Sequence, residues 1–448
     1  MRRVLVITYY WPPAGGSGVQ RWVKFSKYLP SEGWQPVIYT PLNPEISSVD
    51  DSLAADIPSE AEILKTPIHE PYGIYRRIMG SRSSTDMKTL TGQGSAAATG
   101  GEVNPINGER KSFKQKLSLF IRGNFFIPDP RVWWVRPSVR YLKRYLEEHP
   151  VDVIVSTGPP HSMHLIARAL SRETGIQYIP DFRDPWTKMY YFKHLRLTKC
   201  SEKKHFRLEQ AVLDDAARVL AVTSFVQRDF AARTATPVAM IPNGFDEADF
   251  AGAQPESDGF FNIVHTGLFA ADGNPLLLWD VLSQKCRDEE FRSKLRIRIV
   301  GKADEEVIAS LEERGLKDNI VRTGYVDHAR AVCEQRGADL LILPLRNDPE
   351  YAMILPGKLF EYLAARRPVL GIGQPDGAAA EVLSDTGAGT MCWWDDSELM
   401  ENAVEGAWKR FLASDRKPLE GNIDKYTRRN LTARLAGLLD EVRAEKGK

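Results

Sequence analysis

Short apolar runs alternate with amphipathic helical patterns along most of this chain. In the first half the strand candidates are VLVITYY, QPVIYT, VDVIVST, QYIPDF, RVLAVTS and VAMIPN, with helical patterns between several of them. Apolar strands separated by helices are typical of a parallel sheet that is covered on both faces. The helix predicted after the first strand carries Trp22, Phe25, Ser26 and Leu29 on one face, which we predict to be its buried side.

The same alternation starts again after the polar stretch DEADFAGAQPESDG. The second series of strand candidates is FNIVHTG, LRIRIVGKA, IVRTGYV, ADLLILPL, RPVLGIG and TGAGTMCWW. We therefore predict an α/β protein with two Rossmann-like domains facing a central cleft, joined by a linker near 246–259. The predicted domains span 1–245 and 260–424, and a terminal helix follows within 425–448.

One segment interrupts this pattern. Residues 80–110 are rich in Ser, Thr, Gly and Ala and cannot bury enough apolar surface to offset ordering entropy, so we predict a mobile insertion. The next stretch, 111–126, mixes lysine and arginine with phenylalanine. This composition suits peripheral contact with an anionic membrane surface. An amphipathic helix packed on its own domain is the commoner structure for such a pattern and stays the alternative.

Composition limits the classes of function. A chain of 448 residues is too long for one core, and a net charge of +1 gives no general reason to expect nucleic acid as a partner. The cysteines show no metal-ligand or redox spacing, so we expect reduced thiols; they are Cys200, Cys286, Cys333 and Cys392. No signal-peptide pattern and no run long enough for a transmembrane helix is visible. We expect a cytoplasmic protein, with contact at the cytoplasmic membrane face left open.

The first candidate site is a glycine-rich turn after the first strand. Gly15, Gly16 and Gly18 stand between that strand and a helix. Missing side chains allow backbone N–H groups to approach a phosphate or a sugar hydroxyl, and the helix dipole favours negative charge. The spacing is not G-x-G-x-x-G, and QPVIYT ends in Thr40 rather than an acid, which disfavours a dinucleotide dehydrogenase. A tight turn without a ligand is the alternative.

The second candidate site lies in LPLRNDPEYAMILPGKLFEYLAARRPVLGIG. Pro356 and Gly357 are expected to open a helix whose first amides, with Lys358 beside them, can bind a diphosphate. Glu361 lies one turn further along, where a carboxylate can accept hydrogen bonds from a ribose diol. An ordinary solvent-exposed helix acid is the alternative for Glu361.

These stretches, together with STGPPHSMHLIARAL, PDFRDPW and IPNGFD, resemble the retaining family-4 glycosyltransferases of the GT-B fold. The resemblance covers nearly the whole chain except the insertion near 80–110, with the motifs in the same order. It implies a nucleoside-diphosphate sugar donor bound mostly by the carboxyl-terminal domain and an acceptor bound mostly by the amino-terminal domain. It also implies catalysis with no bound metal and no cofactor, since the nucleotide sugar is a substrate.

The resemblance assigns donor-binding roles to several residues. It implies that the glycine loop at 15–18 lies above the donor sugar and phosphates. Glu361 corresponds to the second acid of the family's Glu–seven residues–Glu motif, which holds the nucleotide ribose. Met353 stands where the first acid is usual. This departure leaves the donor sugar open, and Glu350 is the nearby acid that can take a related place.

Further donor contacts are implied in the second half. Gly267 corresponds to the glycine loop after the first strand of the donor domain, and the backbone of Tyr325 and Val326 corresponds to the segment that reads the base edge. Pro356 and Gly357 belong to the diphosphate-binding helix start.

His161, Asp184 and Lys358 are the candidate catalytic residues. His161 follows a strand end, and the resemblance implies contact with the transferred sugar, with helix capping as the alternative. Asp184 follows another strand end, where ligands gather in open α/β sheets. Its alternative is a salt bridge with Arg183.

No D-x-D pair follows a strand, which disfavours a metal-dependent transferase of the GT-A type. We expect transfer from a UDP-linked sugar, with GDP conceivable, to a glycan or lipid-linked acceptor in surface polysaccharide synthesis. A non-hydrolysing UDP-sugar 2-epimerase and a catalytically silent GT-B scaffold are the alternatives, the second favoured by Met353. The sequence specifies neither the sugar, the acceptor and the linkage nor the oligomeric state.

Overall fold

The computed structural model describes residues 1–46, 49–69, 120, 123–189, 192–252 and 258–445. The chain forms two compact α/β units. Unit 1 contains the described residues up to Pro242 together with those from Arg429 onward, and unit 2 runs from Asn243 to Arg428. The predicted insertion at 80–110 and most of the stretch 111–126 lie outside the described residues.

Unit 1 is built on a seven-stranded sheet in the order β3-β2-β1-β4-β5-β6-β7. Its strands are β1 Arg2–Ile7, β2 Trp34–Pro41, β3 Glu62–Thr66, β4 Val153–Gly158, β5 Tyr178–Phe182, β6 Val219–Ala221 and β7 Val238–Met240. All pairings are parallel; Val4, for example, lies beside Pro36 in β2 and Val153 in β4. The apolar-run pattern finds every strand except β3, an edge strand in which half-buried and exposed positions alternate.

Helices cover both faces of this sheet. They are α1 Ser17–Tyr28, α2 Val135–Glu148, α3 Ser162–Thr174, α4 Lys199–Asp214, α5 Ser224–Ala231 and the last helix of the chain, α13 Arg428–Glu445. Successive side chains of β1 point to opposite faces, so Leu5 and Ile7 enter one core and Val4 and Val6 the other. The second core contains the predicted face of α1 and the apolar side of α13, namely Trp22, Phe25, Leu29, Leu431, Leu435, Ala436, Leu439 and Val442.

Unit 2 contains a six-stranded sheet in the order β10-β9-β8-β11-β12-β13. The strands are β8 Phe261–Thr266, β9 Leu295–Val300, β10 Ile320–Gly324, β11 Leu340–Pro344, β12 Val369–Ile372 and β13 Gly389–Cys392. The helices are α6 Leu276–Lys285, α7 Glu289–Lys294, α8 Glu305–Glu313, α9 His328–Gly337, α10 Gly357–Ala365, α11 Ala378–Thr386 and α12 Ser397–Leu412. Every pairing is parallel, which confirms the predicted α/β class with two Rossmann-like domains.

The strand orders locate the crevice at which each sheet can bind a ligand. In unit 1, β1 lies between β2 and β4, so the chain reverses its direction of travel across the sheet between β1 and β4. In unit 2 the same reversal occurs between β8 and β11. Ligands of open α/β sheets bind beyond the carboxyl ends of the strands at such switch points. Most of the predicted site residues follow β1 and β4 in unit 1 and β8 and β11 in unit 2, whereas Asp184 follows β5 and Tyr325 follows β10.

Candidate active site

The start of α10 is the centre of the candidate site in unit 2. Pro356 occupies the position before the helix with φ −67° and ψ 139°, and its own side chain makes no capping hydrogen bond. The helix begins at Gly357, and the Leu359 amide donates to Pro356 O at 3.1 Å. Such a helix start directs backbone donors and the positive end of the helix dipole outward, an arrangement suited to an anion.

Lys358 is held against the end of β8 by a buried histidine. Its Nζ lies 3.3 Å from His265 Nε2 and 3.5 Å from Leu268 O. His265 Nδ1 lies 3.2 Å from Ile342 O. Burial, and then the Lys358 charge, lower the pKa of His265 well below its usual value, so the ring is neutral. His265 Nε2 also lies 3.2 Å from Leu268 O, so each ring nitrogen faces a carbonyl oxygen, and Nε2 accepts from the Lys358 ammonium in the tautomer with hydrogen on Nδ1.

Glycines let the loops after β8 and β9 approach each other closely. Gly267 has φ +89° and its amide donates to Val300 O at 2.8 Å. Gly301 has φ +123°, and a Cβ there would lie 2.5 Å from Gly267 O. A Cβ on Gly267 would lie 3.5 Å from Lys358 Nζ. The structure therefore brings together Gly267 and Lys358, which are far apart in sequence, beside the start of α10.

Glu361 lies one turn into α10 and is half-buried. Its Oε2 accepts a hydrogen bond from Gln335 Nε2 at 2.9 Å. The same amide nitrogen donates to Thr266 Oγ1 at 3.1 Å, at the end of β8. Gln335 thus links the Glu361 carboxylate to the end of β8, the strand end that Lys358 also contacts. Glu361 is therefore not the freely solvated helix acid of the alternative.

The other residues of unit 2 that are predicted to bind the nucleotide-sugar donor lie around the carboxyl-terminal edge of the sheet. Tyr325 directly follows β10 and its side chain is 94% exposed, whereas Val326 packs partly against the core. Met353 and Glu350 lie in the 3-10 turn Pro349–Met353 before α10, and Asp348 caps that turn by accepting from the Glu350 amide at 2.9 Å. The turn therefore places Glu350 near Met353, the position at which the family resemblance predicts the first acid.

The glycine loop of unit 1 leads directly into α1. Gly16 precedes the helix with φ +102°, a backbone conformation that a residue with a Cβ avoids. Gly15 and Gly18 are buried. Gly18 lies in the first turn of α1, which begins at Ser17, and not in the loop where the sequence pattern put it. Helix geometry starts earlier because the Gly16 carbonyl already accepts from the Val19 amide at 3.0 Å.

His161 directly precedes α3 but makes no side-chain capping bond. The cap comes from Asp129, which accepts from Ser162 N and Ser162 Oγ, both at 2.8 Å, so the capping alternative for His161 is wrong. The imidazole stacks on Trp186 with 4.7 Å between ring centroids and 2° between planes. Both ring nitrogens are buried and have no hydrogen-bond partner within the described part of the chain. Burial, and then electrostatic interactions with His164, His205 and Arg183, lower the pKa of His161 well below its usual value.

Asp184 follows β5 and is half-buried. Burial raises the pKa of its carboxyl to about 6, against the opposing effect of the Arg183 charge. The Arg183 guanidinium donates to Pro159 O, and no ion pair with Asp184 is found among the residues that the structure describes. The salt-bridge alternative is therefore wrong at the level of direct contact, and burial makes the Asp184 carboxyl a weaker acid than an ordinary aspartate.

A buried ion pair below the glycine loop was not predicted from the sequence. Arg21 on α1 donates from Nε and Nη2 to Asp181 at 3.0 and 2.9 Å, and both side chains are fully buried. Trp22 Nε1 and Thr157 Oγ1 also donate to this carboxylate, at 2.8 and 3.0 Å. Burial alone would raise the pKa of Asp181, but the Arg21 charge and these hydrogen bonds lower it below the usual value. The pair ties α1 to β4 and β5 and so supports the loop.

His265 and Gln335 are likewise outside the sequence prediction. Neither belongs to a recognisable motif, because each acts on a residue of another element.

No helix in the described ranges is long and apolar enough to cross a membrane.

Comparison with family models gives two matches. A model described as Glycosyltransferase Family 4 matches residues 106–249, and a model described as Glycosyl transferases group 1 matches residues 261–409. Comparison with curated protein sequences gives no significant match.

Solved structures share the architecture over nearly their full length. WaaG, a glycosyltransferase involved in lipopolysaccharide biosynthesis, is 15% identical with a TM-score of 0.53, and the match covers 97% of this chain and 99% of that one. Anabaena Alr3699/HepE in complex with UDP-glucose is 12% identical with a TM-score of 0.51, covering 100% and 98%. A putative UDP-N-acetylglucosamine 2-epimerase from Listeria monocytogenes is 10% identical with a TM-score of 0.53, covering 99% and 97%.

Likeness at such low identity shows the fold alone, and both transferases and an epimerase have it. The two family models distinguish between these classes, because both describe glycosyltransferases. This chain therefore belongs to the family-4 and group 1 glycosyltransferases of the GT-B fold.

Proposed function

We propose that the protein is a retaining glycosyltransferase that moves a sugar from a UDP-linked donor to a glycan or lipid-linked acceptor in surface polysaccharide synthesis. The observation that carries the donor class is the arrangement at α10. The helix start after Pro356 and the Lys358 ammonium lie within one turn of Glu361, at the switch point of the unit 2 sheet. A cationic site for a diphosphate next to an acceptor for a diol matches the diphosphate and the ribose of a nucleoside diphosphate.

Sugar transfer breaks the bond between the anomeric carbon and the β-phosphate oxygen, and the electron pair stays with the diphosphate. The same carbon forms a bond to the acceptor hydroxyl oxygen, and the hydroxyl proton is released. Negative charge therefore grows at the β-phosphate in the transition state. The Gly357 and Lys358 amides and the Lys358 ammonium would stabilise this charge with donors that are already oriented. His265 keeps the ammonium in place without competing for its charge, because its ring is neutral.

Two residues of unit 1 are the proposed partners of the reacting sugar. His161 keeps two buried nitrogens without a hydrogen-bond partner among the described residues, which is costly unless a ligand supplies one. We assign His161 to a hydrogen bond with the transferred sugar. Asp184, with a pKa of about 6, is assigned to proton exchange during transfer.

The finer parts of the proposal have separate support. The UDP nucleotide is supported by the fold shared with HepE, which was solved with UDP-glucose, and the surface glycan by the fold shared with WaaG. Peripheral membrane contact rests on the composition of 111–126. Metal independence rests on the cationic groups at the start of α10. These groups can neutralise the negative charge of the diphosphate, as a bound metal ion would otherwise do.

A ligand panel followed by a turnover assay tests the proposal. Thermal unfolding is measured with UDP, GDP and a set of their sugars; a ligand at 100 times its Kd stabilises the folded state by about 2.7 kcal/mol. The sugar that binds is then incubated with lipid-linked and free glycan acceptors, with and without EDTA, and the anomeric configuration of the product is read by NMR. We expect retained configuration and undiminished turnover in EDTA. Inversion contradicts the retaining mechanism, and loss of activity in EDTA contradicts metal independence.

The epimerase is the second candidate function, because the Listeria epimerase shares the fold. Incubation with UDP-N-acetylglucosamine alone distinguishes the two, since an epimerase converts the donor without an acceptor. A silent scaffold would bind none of the nucleotides. Sedimentation with anionic vesicles at low salt tests the membrane contact, and protein that stays in the supernatant rules it out.

A further inference from the structure

The ribose-binding candidate Glu361 is oriented by a buried amide. Gln335 on α9 is completely buried, and its Nε2 donates both to Glu361 Oε2 at 2.9 Å and to Thr266 Oγ1 at 3.1 Å. A primary amide nitrogen carries two hydrogens, so these two bonds use its full donor capacity. The reverse orientation would place the amide oxygen against the carboxylate, so the network itself determines which atom faces Glu361.

Gln335 is in turn fixed by the end of β8. The Thr266 amide donates to Tyr362 Oη at 3.0 Å, and Tyr362 is the buried neighbour of Glu361 on α10. One strand and two helices, β8, α9 and α10, therefore share a single polar network. Such a network holds its members in one arrangement, because breaking any bond leaves a buried polar group unpaired.

The network acts on one oxygen of the carboxylate. Oε2 receives the Gln335 hydrogen bond, whereas Oε1 has no hydrogen-bond partner within the described ranges, and the side chain is half-buried. The carboxylate is thus restrained in its rotation and still offers acceptor sites. A diol needs two acceptor positions at a defined spacing, so the restraint lowers the entropy lost on binding.

We propose that Gln335 is a positioning residue that sets the Glu361 carboxylate for the two hydroxyls of the donor ribose and thereby gives the protein its preference for ribonucleotides over deoxyribonucleotides. This inference rests on the proposed function, because it takes Glu361 as the ribose contact. It adds a residue of a different helix, which touches no ligand and acts only through Glu361.

The test measures binding of UDP and 2′-deoxy-UDP by isothermal titration calorimetry. Hydrogen bonds to a charged group contribute about 1.5–3 kcal/mol, so the wild-type protein should prefer UDP by about tenfold or more. Gln335→Met keeps the length of the side chain and removes the amide. We expect it to bind UDP about tenfold more weakly and 2′-deoxy-UDP, which keeps only the 3′-hydroxyl bond to Glu361, about threefold more weakly, so that part of the preference is lost. Gln284→Met, at an exposed position of α6, is the control and should leave both affinities unchanged.

A merely structural role would give a different pattern. Distortion of unit 2 would weaken both ligands together and leave their ratio near the wild-type value, and that result overturns the inference while the proposed function stands. Wild-type protein that binds no ribonucleoside diphosphate overturns the proposed function and the inference with it. The double variant with Glu361→Gln adds a second criterion: since Gln335 acts through Glu361, Gln335→Met should change UDP affinity by less than about twofold in that background. Additive losses contradict the proposal.

Discussion

Lys358 carries the proposed transition-state stabilisation, so Lys358→Ala is the most direct perturbation. The substitution removes the ammonium whose Nζ lies 3.3 Å from His265 Nε2 and leaves the backbone of α10 intact. Loss of one oriented donor at a developing anion costs about 3 kcal/mol. Because each 1.36 kcal/mol is about tenfold in rate, kcat should fall by about a hundredfold or more.

The effect on stability should be much smaller than the effect on rate. His265 Nε2 loses a donor, which costs about 1–3 kcal/mol if no water replaces it. Lys358→Met, which keeps most of the apolar stem, provides a second variant with less change in packing.

The assay follows nucleoside diphosphate release at saturating donor and acceptor, with urea unfolding of each variant measured in parallel. Lys317→Ala is the control, since the Lys317 side chain is 73% exposed and belongs to the same unit. We expect the control to keep wild-type kcat and both Lys358 variants to lose it. A Lys358→Met protein that turns over its true donor within about threefold of wild type would remove the residue from the mechanism.

Four further predictions concern unit 1. Burial lowers the pKa of His164 to about 3 and of His205 to about 4, so the unfolded chain takes up protons near pH 6.5 that the folded chain does not. The free energy of unfolding should therefore fall by about 2 kcal/mol per histidine between pH 7 and pH 5, and urea titrations should show a shallower decline in His205→Gln. Because burial raises the pKa of Asp184 to about 6, its ionised form costs stability above that pH; Asp184→Asn should raise the melting temperature at pH 8 but not at pH 4, and lower kcat. Asp181→Asn leaves Arg21 buried without its counter-charge and should lower the free energy of unfolding by about 3–5 kcal/mol, so a change below about 1 kcal/mol would refute the support role of the pair. Gly16→Ala forces a Cβ into φ +102° and should cost about 1–2 kcal/mol in the same measurement, more than Gly175→Ser should at φ +71°, where no atom of the described residues lies within 4 Å of the added Cβ.

Local pattern was sufficient to predict most of the secondary structure. Buried parallel strands appear as continuous apolar runs, and twelve of the thirteen strands in the described chain coincide with such runs. The exception, β3, lies at a sheet edge and lacks the apolar run. The helix start at Pro356 could also be predicted from the sequence. The fixed φ of proline and its missing N–H donor are local properties that need no tertiary contact.

The sequence did not show which side chains contact each other. Lys358 and His265 are 93 residues apart, Arg21 and Asp181 are 160 apart, and Gln335 and Glu361 are 26 apart on different helices. The structural alternatives for His161 and Asp184 were excluded in the same way, because Asp129 caps α3 and Arg183 donates to Pro159; their roles in the reaction stay predictions.

The amino-acid sequence by itself thus determined the strands, the two α/β units and the residue types available for binding an anion and a diol. The tertiary structure alone decided which of those residues are buried, which are neutral and which neighbour holds each one. The physical reason is that periodicity and propensity are properties of neighbouring residues. Desolvation, hydrogen bonding and charge interactions instead depend on distances that exist only after the sheets have formed.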